Sequence, residues 1–191
     1  EVAGGRAAGR GGLWRIPGPD DEGGGRLGVG DAVDEGRSVR FVGRDVMIVV
    51  GAGHCGIALA RLGRFSGRRV MLSDDRLAES EFAAATSAGL AGTGVEVQAS
   101  LDVAMGLVPS GVVPMVALVT RNFQRDVASL ETLRSHRGIT IGMMGSRRRI
   151  ATVLDALRSE GWDAPELARI KAPIGLDIGA VSPEEIAVSI L

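Results

Sequence analysis

Three glycines in a short run could form a binding site for phosphate groups. The run is Gly51-Ala52-Gly53-His54-Cys55-Gly56, which follows an apolar segment of strand length and precedes a helical stretch. In such a G-x-G-x-x-G turn, Gly51 would permit the tight turn, Gly53 would let the backbone approach a pyrophosphate, and Gly56 would let the helix pack closely on the strand. The phosphates would then face free N–H groups at the positive end of the helix dipole. The alternative is a glycine-rich turn that serves packing alone.

A pair of carboxylates stands at the end of the next apolar strand. Asp74 lies 23 residues after Gly51, where a carboxylate could bind ribose hydroxyls. Asp75 is adjacent, so the two side chains point in different directions, and one could bind ribose while the other caps the following helix. Arg76 comes next and could accommodate a 2′-phosphate, so the choice between NAD and NADP stays open.

Two side chains inside the glycine run could also touch a ligand. His54 could take part in proton transfer, but no Asp, Glu or Ser motif visibly partners it, so we expect it to line the site rather than act as a general base. Cys55 follows near a predicted helix N-terminus, a position where cysteines can be reactive. We nevertheless expect Cys55 to be a small buried residue that faces the sheet.

A second turn offers another contact for an anion. The residues Gly145-Ser146-Arg147-Arg148 follow a later strand and precede a helix, which puts them at the same edge of a parallel sheet as the glycine run. Ser146 can cap the helix, while backbone amides and guanidinium groups suit a phosphate. The alternative is a solvated basic turn.

One further carboxylate lies in an apolar loop. Asp177 sits within Pro173–Ala180, a segment that periodicity does not explain and that contains two glycines and a proline. It is either a polar contact to a ligand or an anchor for nearby loop amides.

The elements that must position these residues alternate between strand and helix. Strands are predicted at residues 46–50, 70–72, 95–97, 116–120 and 139–143, and Leu59, Leu62 and Phe65 repeat on one side of the first helix. Residues 103–121 are expected to form a loop leading into a buried strand. Ser182-Pro183-Glu184-Glu185 predicts a helix start with a capping box. The alternation predicts an α/β fold, a Rossmann-like doubly wound parallel sheet in a three-layer α/β/α arrangement.

The composition bounds the domain count and the function class. Residues 1–38 hold 12 glycines and 12 charged residues, so we expect a glycine-rich linker or poorly ordered tail there and the Rossmann-like domain over 39–191, cut within its last helix.

The chain has 22 basic and 23 acidic residues and 3% aromatics, which argues against nucleic-acid binding. One cysteine and two histidines exclude a disulfide framework and a Cys/His zinc site, so no metal site is predicted. No segment is typical of a signal peptide or membrane span, and the cytoplasm is the expected compartment.

The motifs together resemble a known family. GAGHCG, the DDR after the second strand, IGMMGSRRR and PIGLDIGA-VSPEEIAVSI are similar to the C-terminal Rossmann domain of the XdhC/CoxI family, from about Val46 to Leu191. Members are xanthine dehydrogenase accessory proteins, also linked to maturation of CO dehydrogenase-type molybdenum hydroxylases.

The resemblance implies a molybdenum-cofactor chaperone. Such a protein binds molybdopterin cofactor, helps to add its terminal sulfur and passes it to the apo-hydroxylase, and a cysteine desulfurase and a second copy of the chain are further candidate partners. No nucleic-acid or membrane partner is implied, and no catalytic residue is predicted. The residues that the resemblance assigns to cofactor binding are Gly51, Gly53, His54, Gly56, Asp74, Asp75, Arg76, Gly145, Ser146, Arg147, Arg148 and Asp177.

The sequence departs from the family pattern in two places. After the fourth strand the family usually has a Thr-His-x-His-like run before an Asp, whereas residues 120–126 read TRNFQRD and hold neither histidine. The family's N-terminal domain, where a cofactor-holding cysteine is expected, is not recognisable. Two other functions stay open: an NAD(P)-dependent oxidoreductase of unknown substrate, and a structural or dimerisation domain.

Overall fold

The computed structural model describes residues 13–15, 38–40 and 46–191. Two short strands, Leu13–Arg15 and Ser38–Arg40, pair antiparallel in a small sheet of their own. The predicted linker over residues 1–38 otherwise lies outside the described residues, so it stays a prediction.

A six-stranded parallel sheet forms the centre of the domain. Its strands are β1 (Val46–Val50), β2 (Arg69–Ser73), β3 (Glu96–Gln98), β4 (Met115–Leu118), β5 (Thr140–Met143) and β6 (Ile170–Lys171). They lie in the order β3-β2-β1-β4-β5-β6. This order is shared by dinucleotide-binding folds, and it reverses between β1 and β4, which is where such folds bind ligands.

Helices cover both faces of this sheet. They are α1 (His54–Phe65), α2 (Ser80–Leu90), α3 (Leu101–Gly106), α4 (Phe123–Arg134), α5 (Arg147–Ser159), α6 (Ala164–Ala168) and α7 (Pro183–Ile190), with a 3₁₀ turn at Asp75–Ala78. Within the described residues, no helix combines the length and the apolar character that a bilayer crossing demands.

The sheet separates two apolar clusters. Met47 and Val49 of β1 pack with residues of α1, α2 and α7 on one face. Val46, Ile48 and Val50 point to the other face and pack with residues of α3, α4 and α5. Every residue of β1 is buried, as expected for a central parallel strand covered on both sides. The predicted three-layer α/β/α fold is therefore confirmed.

Some elements differ from the sequence-based expectation. The segment predicted to be a loop from residue 103 begins inside α3, whose first turn is capped by the Ser100 side chain. Short elements α6 and β6 were not predicted, because five and two residues are too few for a periodic pattern. Phe65 was expected on the packed side of α1 but is 91% exposed, because it is the last residue of that helix. The capping box at Ser182 and Glu185 is confirmed.

Candidate functional site

The turn between β1 and α1 depends on two of its glycines for its shape. Gly51 has a φ of +111°, a conformation that residues with a side chain rarely adopt. A Cβ on Gly56 would lie 1.7 Å from the carbonyl oxygen of Gly51, so only glycine lets α1 approach the turn this closely. Both structural tasks predicted from the sequence are confirmed.

The first turn of α1 leaves backbone N–H groups available. Gly53 is the N-cap residue and provides no side-chain cap, and no acidic residue lies in the first turn. The first intrahelical bond runs from the N–H of Ile57 to the carbonyl of Gly53, so the preceding amides have no partner within the helix. A Cβ on Gly53 would meet nothing within 4 Å, so the space above these amides is open.

These amides border a cavity of about 560 Å³ at the crevice between β1 and β4. The glycine run forms one wall, residues 119–122 after β4 form the second, and α2 with Arg76 forms the third. Among the described residues that line the cavity, Arg76 and Arg121 are cationic and none is acidic. The location is the one where doubly wound sheets bind ligands, and the lining suits an anion.

Asp74 lies behind the cavity wall and holds the turn together. Its side chain accepts from the N–H of Ala52 at 2.8 Å, from the N–H of Arg76 at 3.0 Å, and from Nε and Nη2 of Arg76 at 2.9 and 2.6 Å. The residue is only 5% exposed. Burial works to raise the pKa of Asp74, but the hydrogen bonds from Arg76 and the two amides outweigh it and lower the pKa from 3.8 to about 2.

The next two residues, Asp75 and Arg76, are more exposed than Asp74. Arg76 lies over the ring of Phe82, 3.9 Å from its centroid, and lines the cavity. Asp75 is exposed, and its Oδ1 lies 3.0 Å from Nε of Arg125. The sequence predicts that one of the two aspartates caps the following helix. Asp74 is that residue, because its side chain accepts from the N–H of Arg76 at the start of the 3₁₀ turn.

The other predicted site residues lie away from this cavity. Ser146 caps α5 by accepting from the N–H of Arg149 at 3.3 Å. Arg147 and Arg148 are exposed, and of the segment around Gly145 only Met144 lines the cavity. Asp177 is exposed too, and no hydrogen bond joins its side chain to another described residue. The structure therefore brings together the glycine run and Arg76, with Asp74 directly behind them.

Comparison with protein families matches residues 47–191 to the XdhC Rossmann domain. The chain belongs to the XdhC family. The resemblance predicted from the motifs is thereby confirmed.

Two similar proteins are longer than the region that this chain matches. The "Uncharacterized protein YqeB" of Escherichia coli (strain K12) is 30% identical over 154 residues, which are 78% of this chain and 26% of the relative. A solved structure described as a xanthine dehydrogenase (BH1974) from Bacillus halodurans is 23% identical with a TM-score of 0.58, and the match covers 80% of this chain and 42% of that one. At this identity the likeness shows the fold alone. The chain spans less than half the length of either relative.

The XdhC domain contains a buried polar network that the sequence analysis missed. Asp126 is fully buried in α4, and it accepts from Oγ1 of Thr120 at 2.6 Å and from Nη2 of Arg149. Arg149 also donates to Oγ1 of Thr120 at 3.1 Å. Burial raises the pKa of Asp126 despite the hydrogen bonds from Thr120 and Arg149. The network fixes Thr120 at the cavity wall and joins the β4 loop to α4 and α5.

A sequence signal for this network exists in the helical spacing. Arg149 precedes the buried Val153 by four residues, which puts both on the inner face of α5. Its neighbours Arg147 and Arg148 are exposed. The third arginine of the run, rather than the first two, therefore reaches the edge of the crevice.

The two side chains within the glycine run both line the cavity. His54 is exposed at the first position of α1, in agreement with the predicted lining role. Cys55 was expected to be buried against the sheet, but it is only half-buried and lines the same cavity. Cys55 is the second residue of α1, and its side chain turns toward the crevice.

Proposed function

We propose that this XdhC domain binds molybdenum cofactor of the molybdopterin type, or a related phosphate-bearing nucleotide, in the crevice between β1 and β4. The observation that carries the proposal is the open amide turn at Gly53, which faces a cavity whose described lining includes Arg76 and Arg121 and no carboxylate. Phosphate groups are the ligands that such helix starts bind.

The cavity suits the phosphate end of such a cofactor. Its volume of about 560 Å³ falls in the range of small-molecule sites. The uncapped amides of α1 would bind the phosphate, and Arg76 and Arg121 would add charge-assisted hydrogen bonds. When bound, the cofactor supplies the redox-active molybdenum that the receiving hydroxylase uses. The residues of this domain bind and orient the phosphate end and shield it from water.

We propose a role for the whole protein on the basis of its family membership. We infer an accessory protein that holds the cofactor, helps its sulfuration and inserts it into xanthine dehydrogenase or a CO dehydrogenase-type molybdenum hydroxylase in the cytoplasm. The proposed partners are the apo-hydroxylase, a cysteine desulfurase that supplies sulfur, and a second copy of the chain. The residues of the longer family members outside this domain would take part in the transfer.

A second candidate function is that of an NAD(P)-dependent oxidoreductase. The strand order β3-β2-β1-β4-β5-β6 with a glycine turn after β1 favours it, because dinucleotide-binding folds share both features. A dehydrogenase also needs an acid or base beside the substrate. In the described cavity lining, His54 is the one residue of that kind besides the Cys55 thiol, and it carries no hydrogen bond to another described side chain.

Cofactor retention and hydride turnover would distinguish the two functions. The purified chain is incubated under anaerobic conditions with molybdopterin cofactor released from a molybdenum enzyme, passed through a desalting column and assayed for pterin and molybdenum. We expect near-stoichiometric retention of the cofactor and no oxidation of NADPH or NADH with carbonyl substrates. Absence of retention together with hydride turnover would instead support the oxidoreductase.

A further inference from the structure

We propose that Arg76, with Thr86, forms a second phosphate subsite, so that among dinucleotides the crevice prefers those with a 2′-phosphate, the NADP class, over the NAD class. The inference rests on the proposed function, because it specifies the ligand of the same crevice. It reverses the simplest interpretation of the acidic residue after β2, which would bind ribose hydroxyls and thereby favour NAD.

The carboxylate of Asp74 is not available to a ribose. Its oxygens already accept two backbone N–H groups and two N–H groups of the Arg76 guanidinium. A second cation lies close by, since Nη1 of Arg125 is 3.5 Å from Oδ1. The Asp74 side chain is 2% exposed and does not line the cavity. A ribose hydroxyl would have to displace a charge-assisted bond to reach it.

Arg76 takes the place of that carboxylate at the cavity wall. Its Nε and Nη2 bind Asp74, and its Nη1 has no hydrogen-bond partner among the described residues. Stacking on Phe82 and the ion pair with Asp74 hold the guanidinium in one orientation. The fixed guanidinium thus presents unused donors to the cavity, an arrangement that suits a phosphate ester.

An independent observation places a second donor on the same wall. Thr86 of α2 lines the cavity and is 1% exposed, and its Oγ1 has no hydrogen-bond partner within the described part of the chain. Buried hydroxyls are normally bonded, so this one points to a missing ligand. Thr86 follows Phe82 by four residues and therefore lies on the same face of α2 as the ring under Arg76.

Titration of the chain with NADP⁺ and NAD⁺ by calorimetry tests the inference. We expect NADP⁺ to bind roughly 10- to 100-fold more tightly than NAD⁺, because charge-assisted hydrogen bonds to the 2′-phosphate contribute that much affinity. Arg76→Ala should remove most of this preference, because it deletes the donors and exposes Asp74 to the ribose. Thr86→Val, which keeps the volume, should weaken NADP⁺ binding by several-fold. Arg69→Ala is the matched control, since Arg69 forms the same forked pair with Glu96 outside the cavity.

The outcomes separate this inference from the proposed function. Equal affinities, tighter binding of NAD⁺, or an unchanged preference in Arg76→Ala would overturn the phosphate subsite and leave the cofactor site in place. If neither dinucleotide binds while molybdopterin cofactor is retained, the subsite is again refuted. If neither dinucleotide nor the cofactor binds, the proposed function fails as well.

Discussion

At the scale of single residues, Asp74 organises the candidate site without facing it. It joins the glycine turn, through the N–H of Ala52, to the segment after β2, through the guanidinium and N–H of Arg76. The charged form of Asp74 is stabilised by these bonds in the folded state and not in the unfolded state. Its side chain therefore contributes to stability in a pH-dependent way.

Replacing Asp74 by Asn should lower the free energy of unfolding by about 2 kcal/mol at pH 7, because the pKa falls from 3.8 to about 2 on folding. A lowered pKa stabilises the fold above pH 4, and this contribution is lost as the pH falls from about 4 to about 2. Urea unfolding of both proteins at pH 7, 4, 3 and 2 measures this. The two curves of stability against pH should converge at low pH, and a constant gap would contradict the assignment.

Loss of the buried Asp126 carboxyl should be more damaging. Asp126→Ala would leave Arg149 at the edge of the core without its carboxylate partner and would remove the 2.6 Å hydrogen bond that the Thr120 hydroxyl donates. We expect a loss of about 3–5 kcal/mol in unfolding free energy. Asp155→Ala is a suitable control, because the Asp155–Arg158 pair is exposed and should contribute less than about 1 kcal/mol. Similar losses in the two variants would show that the network is not structural.

At the scale of elements, the contact between α1 and its preceding turn determines where the amides lie. Gly56 allows the helix to start directly against the Gly51 carbonyl, and the turn is tied to β2 by the bond from the N–H of Gly51 to the carbonyl of Ser73 at 2.8 Å. This packing holds the start of α1 at the mouth of the crevice.

A methyl group at position 56 should separate the helix from the turn. The added Cβ of Gly56→Ala would overlap the Gly51 carbonyl oxygen, at 1.7 Å, and backbone cannot move aside as a side chain can. We expect a loss of roughly 2–4 kcal/mol in unfolding free energy. Gly53→Ala, with open space around its Cβ, should change stability by less than about 1 kcal/mol. Thermal and urea unfolding of both variants provide the comparison, and equal stability would refute the packing role.

The longer elements were predictable from the sequence because each has a pattern of its own. The five apolar runs identified β1 to β5 within one or two residues, and the helix expected after the turn at Gly145 is α5. Helix α3 was not predicted, because its six residues include only two buried side chains, Leu101 and Ala104. Phe65 fits the apolar repeat of α1, but it is exposed because it is the last residue of the helix. A periodic pattern alone does not show where the packed part of a helix ends.

At the scale of the whole molecule, the strand order brings the site residues to one edge. The glycine run after β1 and the residues after β4 meet where the order reverses, as the alternation of strands and helices in the sequence predicts. The sequence could not show which side chains turn inward. It favoured Arg147 and Arg148, whereas Arg149 reaches inward. It also offered Asp74 to the ligand, whereas that carboxylate is bound by Arg76.

We propose that the open amides beside Gly53 bind the phosphate of a nucleotide-type ligand. The most direct measurement compares Gly53→Val with Gly106→Val, whose Cβ also meets nothing within 4 Å but lies outside the cavity. Binding of molybdopterin cofactor and of NADP⁺ is measured by titration, with stability followed by urea unfolding. We predict that Gly53→Val stays folded and loses at least about 30-fold in affinity, since about 2 kcal/mol of amide–phosphate bonding is blocked, while Gly106→Val binds normally. A folded Gly53→Val variant with unchanged affinity for both ligands would contradict the account.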